Sequence, residues 1–345
     1  MKKSTSAHLI FRELEILIQA RRDRVTQLVN FEVVDLYWEL GRRISEKIKT
    51  EIWGRGTVNG LAEYLGKQGQ GLRGFSASNL WRMRQFFETW EHSQGELATL
   101  LRELPWSCHL DLMGKCKTRE EREFYLRLGV QERYSVRELK RAIETAVFER
   151  TLLAGGKLTA SMREHHPEAA NVFKDLYSLE FIGLKPDHSE HDLRKALVRR
   201  LRDFLIELGR DFSFIGEEYP VQVGSRDGYV DLLFFHRGLR CLVAIELKIT
   251  EFRPEHIGQI DFYLEALDRL VKKQDENPSI GLLLCKTKDD EVVEFMMNRS
   301  RSPALVAEYQ TRLPDKRLLQ SKLHEFFEQE RERLPEKGSR PRLPE

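Results

Sequence analysis

At 345 residues, with 41% hydrophobic and 32% charged residues and a formal net charge of +2, the chain suits two well-charged globular domains and excludes a disordered or fibrous polymer. The near-neutral balance excludes a global basic bias towards nucleic acid, so only local patches can serve that end. No apolar run is long enough to span a membrane. The opening MKKSTSAHLIFRELEIL is interrupted by Arg12, Glu13 and Glu15 and is not a secretory signal, so a cytoplasmic chain with no membrane partner is expected. Cys108, Cys116, Cys241 and Cys285 are far apart and lack CxxC spacing. They read as buried thiols, without disulfide or zinc.

Residues 4–150 read as almost wholly helical. Leu9, Phe11, Leu14, Ile16, Leu17, Val25 and Leu28 recur at helical spacing, and FEVVDLYWELGRRISEKI extends the pattern. WGRGTVNG punctuates it, a short helix follows around residues 61–65, and KQGQGLRGF reads as a loop. Ser76 is placed to cap ASNLWRMRQFFETW, and Ser135 with Glu138 forms a capping box before VRELKRAIETAVFER. Residues 56–90 have the spacing of a helix-turn-helix, in which Ser78, Asn79, Arg82 and Arg84 would offer donors to DNA phosphates or base edges. A plain helical bundle with Leu80, Trp81, Met83, Phe86 and Phe87 as its core meets the same pattern, and the long helices would equally serve to join two copies of the chain. His109 reads as packing, and His165 and His166 as linker residues without a metal.

LAGGKLTASMREHHPEAA breaks the periodicity with small and polar residues. The expected division is therefore a helical DNA-binding or dimerisation domain over 1–152, a junction over 153–185, a second domain over 186–333 and a frayed tail over 334–345. The apolar segment LYSLEFIGL packs across the junction or opens the second domain. Beyond it the period changes. HDLRKALVRRLRDFLIELG reads as one long amphipathic helix, and DFSFIGEEYPVQV as a strand kinked at Pro220. YVDLLFFH and RCLVAIELKI read as a hairpin turning on Gly238. The helix PEHIGQIDFYLEALDRLVKK, the strand SIGLLLCK, the helix DDEVVEFMMNRS and the strand ALVAEYQ complete an α/β domain with a mixed sheet.

The chemistry concentrates in YVDLLFFHRGLRCLVAIELKITEFRPEHIGQIDFYLEALD. Unpaired charge inside apolar strands costs several kcal/mol, so a metal or an ion-pair network must compensate Asp231, Glu246 and Lys248. Strand alternation puts Glu246 and Lys248 on one face, and the hairpin returns Asp231 beside Glu246. The two carboxylates can then hold Mg²⁺, with Lys248 holding or deprotonating the attacking water. Gln259 and Tyr263, four residues apart, share a helix face directed back at this point. Ion pairing of the acids with Lys248 or Arg240, and Tyr263 as plain core, satisfy the same residues.

On this constellation the second domain resembles the PD-(D/E)XK nuclease superfamily, and its Gln-x-x-x-Tyr resembles the RecB-like branch. The whole chain is similar to the YhcG-type nucleases of bacteria through LYWELGRRI, GFSASNLWRMRQF, LPWSCHL, FLIELGRDFSFIG, VDLLFFHRGLRCLVAIELK, GLLLCKTKDDEVVE and VAEYQTRLPDK. The resemblance implies an all-α N-terminal domain followed by a restriction-endonuclease-like domain with an α-β-β-β-α-β core. The expected activity is Mg²⁺-dependent hydrolysis of DNA, with Mn²⁺ as substitute; a homodimer or higher homo-oligomer is expected from the long helices, and phage or mobile-DNA defence or DNA processing is a use that fits such an enzyme. Asp231, Glu246 and the Leu247 main-chain carbonyl would bind metal, and Lys248, Gln259 and Tyr263 would be catalytic. Glu207 is the candidate for a further metal-binding acid on the first helix of the domain, with Glu217 and Glu218 as rivals. Val230 stands where the superfamily pattern has proline. A DNA-binding assembly protein with an idle nuclease fold and an RNA-directed nuclease are the alternative functions.

Overall fold

In a computed structural model of the chain, the described residues are 2–50, 53–67, 74–93, 95–155, 158–184, 187–297, 300 and 302–333. They separate into two compact units, Met1–Ile143 and Glu144–Glu345. The loop read over KQGQGLRGF lies largely outside the described residues, as does the tail over 334–345.

The first unit is helical, as expected. It comprises α1 (Lys2–Thr50), α2 (Arg55–Lys67), α3 (Ala77–Trp90), α4 (Glu96–Leu100), α5 (Trp106–Lys115), α6 (Arg119–Gln131) and α7 (Val136–Glu144). Ser76 caps α3 by accepting from the Asn79 N–H. Ile44, Val58, Leu80 and Met83 close a core between α1, α2 and α3. The Trp106 ring packs edge-on against Tyr37, at 4.9 Å between centroids, and against Phe86, at 5.4 Å. Such pairs add to their area burial because ring edges and faces carry opposite partial charge. His109 is buried with its Nε2 against the Leu101 carbonyl, and burial lowers its pKa to about 4. It is a packing residue, as expected.

The second unit comprises α8 (Val147–Gly155), α9 (Ala160–His165), β1 (Leu176–Ser178), α10 (Glu190–Arg199), α11 (Leu201–Leu208), β2 (Phe212–Val223), β3 (Arg226–His236) and β4 (Cys241–Glu251). It continues with α12 (Glu255–Leu270), β5 (Ile280–Thr287), α13 (Asp290–Met297), β6 (Ala304–Gln310) and α14 (Lys316–Arg333). The mixed sheet has the order β1-β6-β5-β4-β3-β2. β2, β3 and β4 are antiparallel neighbours, while β4, β5, β6 and β1 run parallel. Strands β4 and β5 read as continuous apolar runs because helices cover both their faces. One face packs Leu193, Leu197, Phe204 and Leu208 of α10 and α11 against Phe234, Ile245 and Leu247. The other packs Ile260, Tyr263 and Leu264 of α12 against Leu233, Ala244 and Leu283. Gly281 lets α12 come this close, since a Cβ there would meet Ile260 Cγ1 at 2.5 Å.

Four local readings change. The segment taken as a junction belongs to this unit: Met162, Phe173, Tyr177 and Leu179 are buried in its core, and Leu176–Ser178 pairs with β6 as an edge strand. Its small residues break helical periodicity because the chain here is short turns and one three-residue strand. The helix read over 191–209 is two helices, because Arg200 leaves helical geometry at φ −107°, ψ 32°. β2 carries its irregularity between Phe214 and Gly216, not at Pro220. Pro220 is tolerated because β2 is the edge strand of the sheet. Helix α14, whose Leu319 and Leu323 pack with Ala146, Leu153 and Leu176, follows the last strand expected.

A buried ion pair fixes α8, α11 and β1 to one another. Arg150 and Glu207 are fully enclosed and hydrogen-bonded to each other. Arg150 also donates to the carbonyls of Thr145 and Leu176, each at 2.8 Å, while Glu207 accepts from the Ser178 N–H at 3.0 Å. Removing one partner strands a buried charge. Glu207→Ala is therefore expected to cost roughly 3–5 kcal/mol in urea unfolding, and a loss under 1 kcal/mol would show the network to be dispensable.

Candidate active site

The β3–β4 ladder ends at Leu232 paired with Ile245. One step further, Asp231 and Glu246 stand in register but the main chains no longer pair. The Leu247 N–H, released from the ladder, is taken by Asp231 Oδ2 at 3.0 Å. Glu246 lies on buried β4 with 2% exposure, on the face that α12 covers. Its Oε1 accepts from Lys248 Nζ at 2.9 Å, and its Oε2 is buried without a hydrogen-bond partner. Lys248 also approaches Glu190 Oε2, at 3.8 Å, from the first turn of α10. Gln259 Nε2 donates to the Tyr263 hydroxyl at 3.0 Å on α12. Gly228 makes room for that ring: a Cβ there would meet Tyr263 Cε1 at 2.8 Å.

The charges are unevenly compensated. Burial, and next the negative charge of Asp231, push the Glu246 carboxyl up to about 7 despite the attraction of Lys248. Burial pulls Lys248 down, but Glu246 and Glu190 outweigh it and hold the ammonium above its ordinary pKa. Burial raises the Tyr263 hydroxyl, its bond to Gln259 offsets part of that, and Glu246 and Asp231 raise it further. The structure thus gathers Asp231, Glu246, Lys248, Gln259, Tyr263 and the Leu247 main chain around one end of the sheet.

Asp231, Glu246 and the Leu247 carbonyl would offer a cation oxygen donors of the kind that hard divalent cations take. The orphaned Glu246 Oε2, buried beside a second carboxylate, fits such an ion, because a cation would supply the missing partner. Among the described residues no group of three or more His, Cys, Asp or Glu side chains forms a metal cage. A cation here would be held by two carboxylates and would complete its shell with water or substrate oxygens, as Mg²⁺ commonly does.

Glu207 does not join it. The carboxylate expected to assist the metal is spent on Arg150 and Lys174, whose charges outweigh burial and hold its pKa low. FLIELG forms the second of two helices, and the helix that brings an acid to Lys248 is the first, α10. Its acid there is Glu190, legible in hindsight from the Ser189–Asp192 capping box that starts the helix. Arg194, also on α10, donates to Asp231 Oδ1 at 2.7 Å and pairs with Glu218 at 2.7 Å. Glu217 pairs with Leu232 and Tyr219 with Val230 in the β2–β3 ladder, so Glu218 falls across from Asp231.

In the first unit the expected nucleic-acid residues divide. Asn79 is taken up internally, donating to the Gly74 carbonyl at 2.6 Å and accepting from Trp106 Nε1 at 3.1 Å. Both side-chain atoms of the amide are thus engaged, in the first turn after the Ser76 cap. Arg84 is paired with Glu88 at 2.7 Å and lies over the Trp81 ring. Arg82 is exposed. With Arg55, Asn59, Ser78, Trp81 and Arg84 it lines a groove of about 710 Å³ between α2 and α3.

The raised Glu246 pKa sets a pH dependence. The unfolded chain releases this proton near 4.5 and the native state keeps it to about 7. Between those values the native state binds the extra proton, so stability falls as pH rises. Glu246→Gln cannot ionise. It is expected to exceed wild type in Tm above pH 7, by an amount equivalent to on the order of a few kcal/mol, and to lose that advantage below pH 4.5. Circular-dichroism melts from pH 4 to 8 measure this, and a pH-independent difference would contradict the charge imbalance.

Residues 170–324 match the family model of the YhcG PDDEXK nuclease domain, and residues 13–150 match that of the DUF1016 N-terminal domain. The Escherichia coli (strain K12) protein named "Putative nuclease YhcG" is 32% identical, over 89% of this chain and 91% of its own length. Among solved structures, the crystal structure of a repair endonuclease from Pyrococcus abyssi is 18% identical over 37% of this chain and 50% of that one, with a TM-score of 0.25. So slight an overlap supports no conclusion about this chain's activity. Among the described residues no helix is long and apolar enough to cross a membrane. The two matched domains and the full-length relative place this chain in the YhcG family of PDDEXK nucleases.

Proposed function

We propose that the chain is a metal-dependent DNA nuclease that hydrolyses phosphodiester bonds at Asp231, Glu246 and Lys248. The observation that carries this is the buried, unpartnered Glu246 Oε2 beside Asp231, with a protonated lysine 2.9 Å from the other oxygen. A buried carboxylate oxygen without a partner calls for a group to satisfy it, and here a second carboxylate adds its negative charge beside it. Asp231, Glu246 and the Leu247 carbonyl would hold the cation, Mg²⁺ or Mn²⁺ in its place. That ion supplies Lewis acidity and a bound water of lowered pKa.

Lys248, held protonated by Glu246 and Glu190, acts as a hydrogen-bond donor. It orients the attacking water or meets the negative charge that develops on the phosphoryl oxygens. Glu190 keeps that ammonium in place from α10. Gln259 sets the Tyr263 hydroxyl, and the pair fixes one wall of the site for the substrate backbone. The helical unit supplies backbone contacts through the α2–α3 groove, whose arginines suit phosphate oxygens. Self-association through α1 is part of this reading. Ile18, Val25, Val29 and Leu36 are exposed and, at 3.6 residues per turn, fall on one narrow stripe of that helix. Clearance of phage or mobile DNA, or DNA processing, is the use that fits such an enzyme.

The test incubates the full chain with linear, supercoiled, single-stranded and branched DNA, and with RNA, in Mg²⁺, Mn²⁺ or EDTA. Cleavage in metal, its loss in EDTA, and a loss of more than about a hundredfold in Lys248→Met or Glu246→Gln are expected. Full activity of Glu246→Gln would end the proposed mechanism, and preferential cleavage of RNA would move the substrate. In filter binding, Arg82→Ala is expected to weaken DNA affinity and reduce the salt slope by about one. Arg84→Ala should do less, since Glu88 already neutralises it. Equal affinity and slope for Arg82→Ala and wild type would assign α3 to packing alone.

A further inference from the structure

Arg194 is the side chain near the site that the nuclease reading leaves unused. It is 8% exposed, on the helix that delivers Glu190. One guanidinium nitrogen donates to Asp231 Oδ1 at 2.7 Å, and the other lies 2.7 Å from Glu218 Oε1 and 3.2 Å from His191 Nδ1. Its Nε is buried without a hydrogen-bond partner. Both Asp231 oxygens are therefore engaged, Oδ1 by Arg194 and Oδ2 by the Leu247 N–H. Of the four oxygens on the two candidate ligands, Glu246 Oε2 alone has no partner.

We propose that Arg194 is a resident counter-cation of the metal site. It neutralises Asp231 when no divalent cation is bound, and it must yield Asp231 Oδ1, retaining Glu218, when one binds. The proposal rests on the reading of Asp231 and Glu246 as cation ligands and adds a competitor for one of them. The physical grounds are direct. A guanidinium and a divalent cation cannot share one lone-pair direction of Oδ1, and two positive charges in a half-buried site repel. Glu218 gives the displaced guanidinium somewhere to remain. Its backbone takes the left-handed conformation at φ 46°, unusual for a residue with a side chain, and its carboxylate is partly exposed, so that one side of the fork can stay paired while the other lets go. The pair of contacts makes Arg194 a positioning residue whose two partners set how strongly the site takes a cation.

The experiment is a calorimetric Mn²⁺ titration of the full-length protein, wild type against Arg194→Met, Glu218→Gln and the double variant, with Glu246→Gln as the non-binding control. Arg194→Met is expected to tighten Mn²⁺ binding on the order of tenfold, because it removes a competing charge. Glu218→Gln should weaken it by roughly threefold, since Arg194 then has Asp231 as its only acid. The double variant should bind like Arg194→Met, because the effect of Glu218 runs through the arginine. Unchanged or weaker binding by Arg194→Met would overturn the proposal and make Arg194 a brace for Asp231, while leaving the metal reading intact. An equal effect of Glu218→Gln with and without Arg194 would overturn it as well. Absence of Mn²⁺ binding in both wild type and Arg194→Met would remove the metal reading itself and this proposal with it. Urea melts of each variant confirm that the titrated protein is folded. The partly exposed Glu218 carries the test if Arg194→Met is not folded.

Discussion

Strand β4 is buried along most of its length and carries a carboxylate at its centre. A buried carboxylate must lose its charge or find compensation, and at Glu246 the compensation is incomplete. One oxygen has the Lys248 ammonium, the other has nothing, and a second carboxylate stands beside it. Most of what surrounds the site follows from that shortage. Lys248 is fixed in its protonated form by two acids. Helix α10 brings Glu190 to the lysine and Arg194 to Asp231, so that these two groups, but not Glu246, meet an opposite charge from the helix. Tyr263 closes the α12 side with a hydroxyl whose own ionisation is suppressed.

The end of the β3–β4 ladder makes this possible. Were pairing to continue past Leu232 and Ile245, the Leu247 N–H would be engaged by a neighbouring strand and the two acids would be held by an ordinary sheet. Because pairing stops there, the sheet opens by one residue and the carboxylate of Asp231 substitutes for a main-chain acceptor. That single hydrogen bond ties the Asp231 side chain to the strand carrying Glu246 and puts both acids next to the Leu247 peptide. Side chain and main-chain oxygens are thereby collected at one point without a dedicated loop. The surrounding layers, α10 and α11 on one face and α12 on the other, pack both faces of the sheet around the opening.

The legible part of this protein is what depends on short-range pattern. Short apolar runs located β3 to β6, the Gly238 turn located the β3–β4 hairpin, and strand alternation paired Glu246 with Lys248. Helical spacing placed Gln259 and Tyr263 together. What remained hidden depended on three-dimensional charge pairing. Nothing in FLIELG distinguishes Glu207 from an acid pointing into the site, because its partner Arg150 lies 57 positions away. Asn79 sits on a plausible recognition face, and only the Trp106 indole shows that its amide is already used. Arg194 and Glu218 flank Asp231 from a helix and an edge strand that share no local signal. The short strand β1 escaped notice because three residues are too few to show a period.

Glu207 and Glu246 together separate structure from chemistry in this fold. Both are glutamates at 2% exposure in the same unit. Glu207 faces a guanidinium, an ammonium and a main-chain N–H, and its pKa is pulled below the ordinary value in spite of burial. Glu246 faces one ammonium and a neighbouring carboxylate, and its pKa is driven the other way. Burial is common to both and so cannot be the difference. The difference is that the Glu207 network balances its charges within the protein alone, whereas the Glu246 cluster remains short of positive charge even after Lys248 and Arg194 are counted. A fold stabilises a closed network for its own sake. An acid cluster left short of a cation weakens the apo fold, and it becomes favourable once something outside the chain supplies that charge. The sign of the imbalance, an excess of negative charge at an opening in the sheet, suits a cation as the missing component and accords with the proposed phosphodiester hydrolysis.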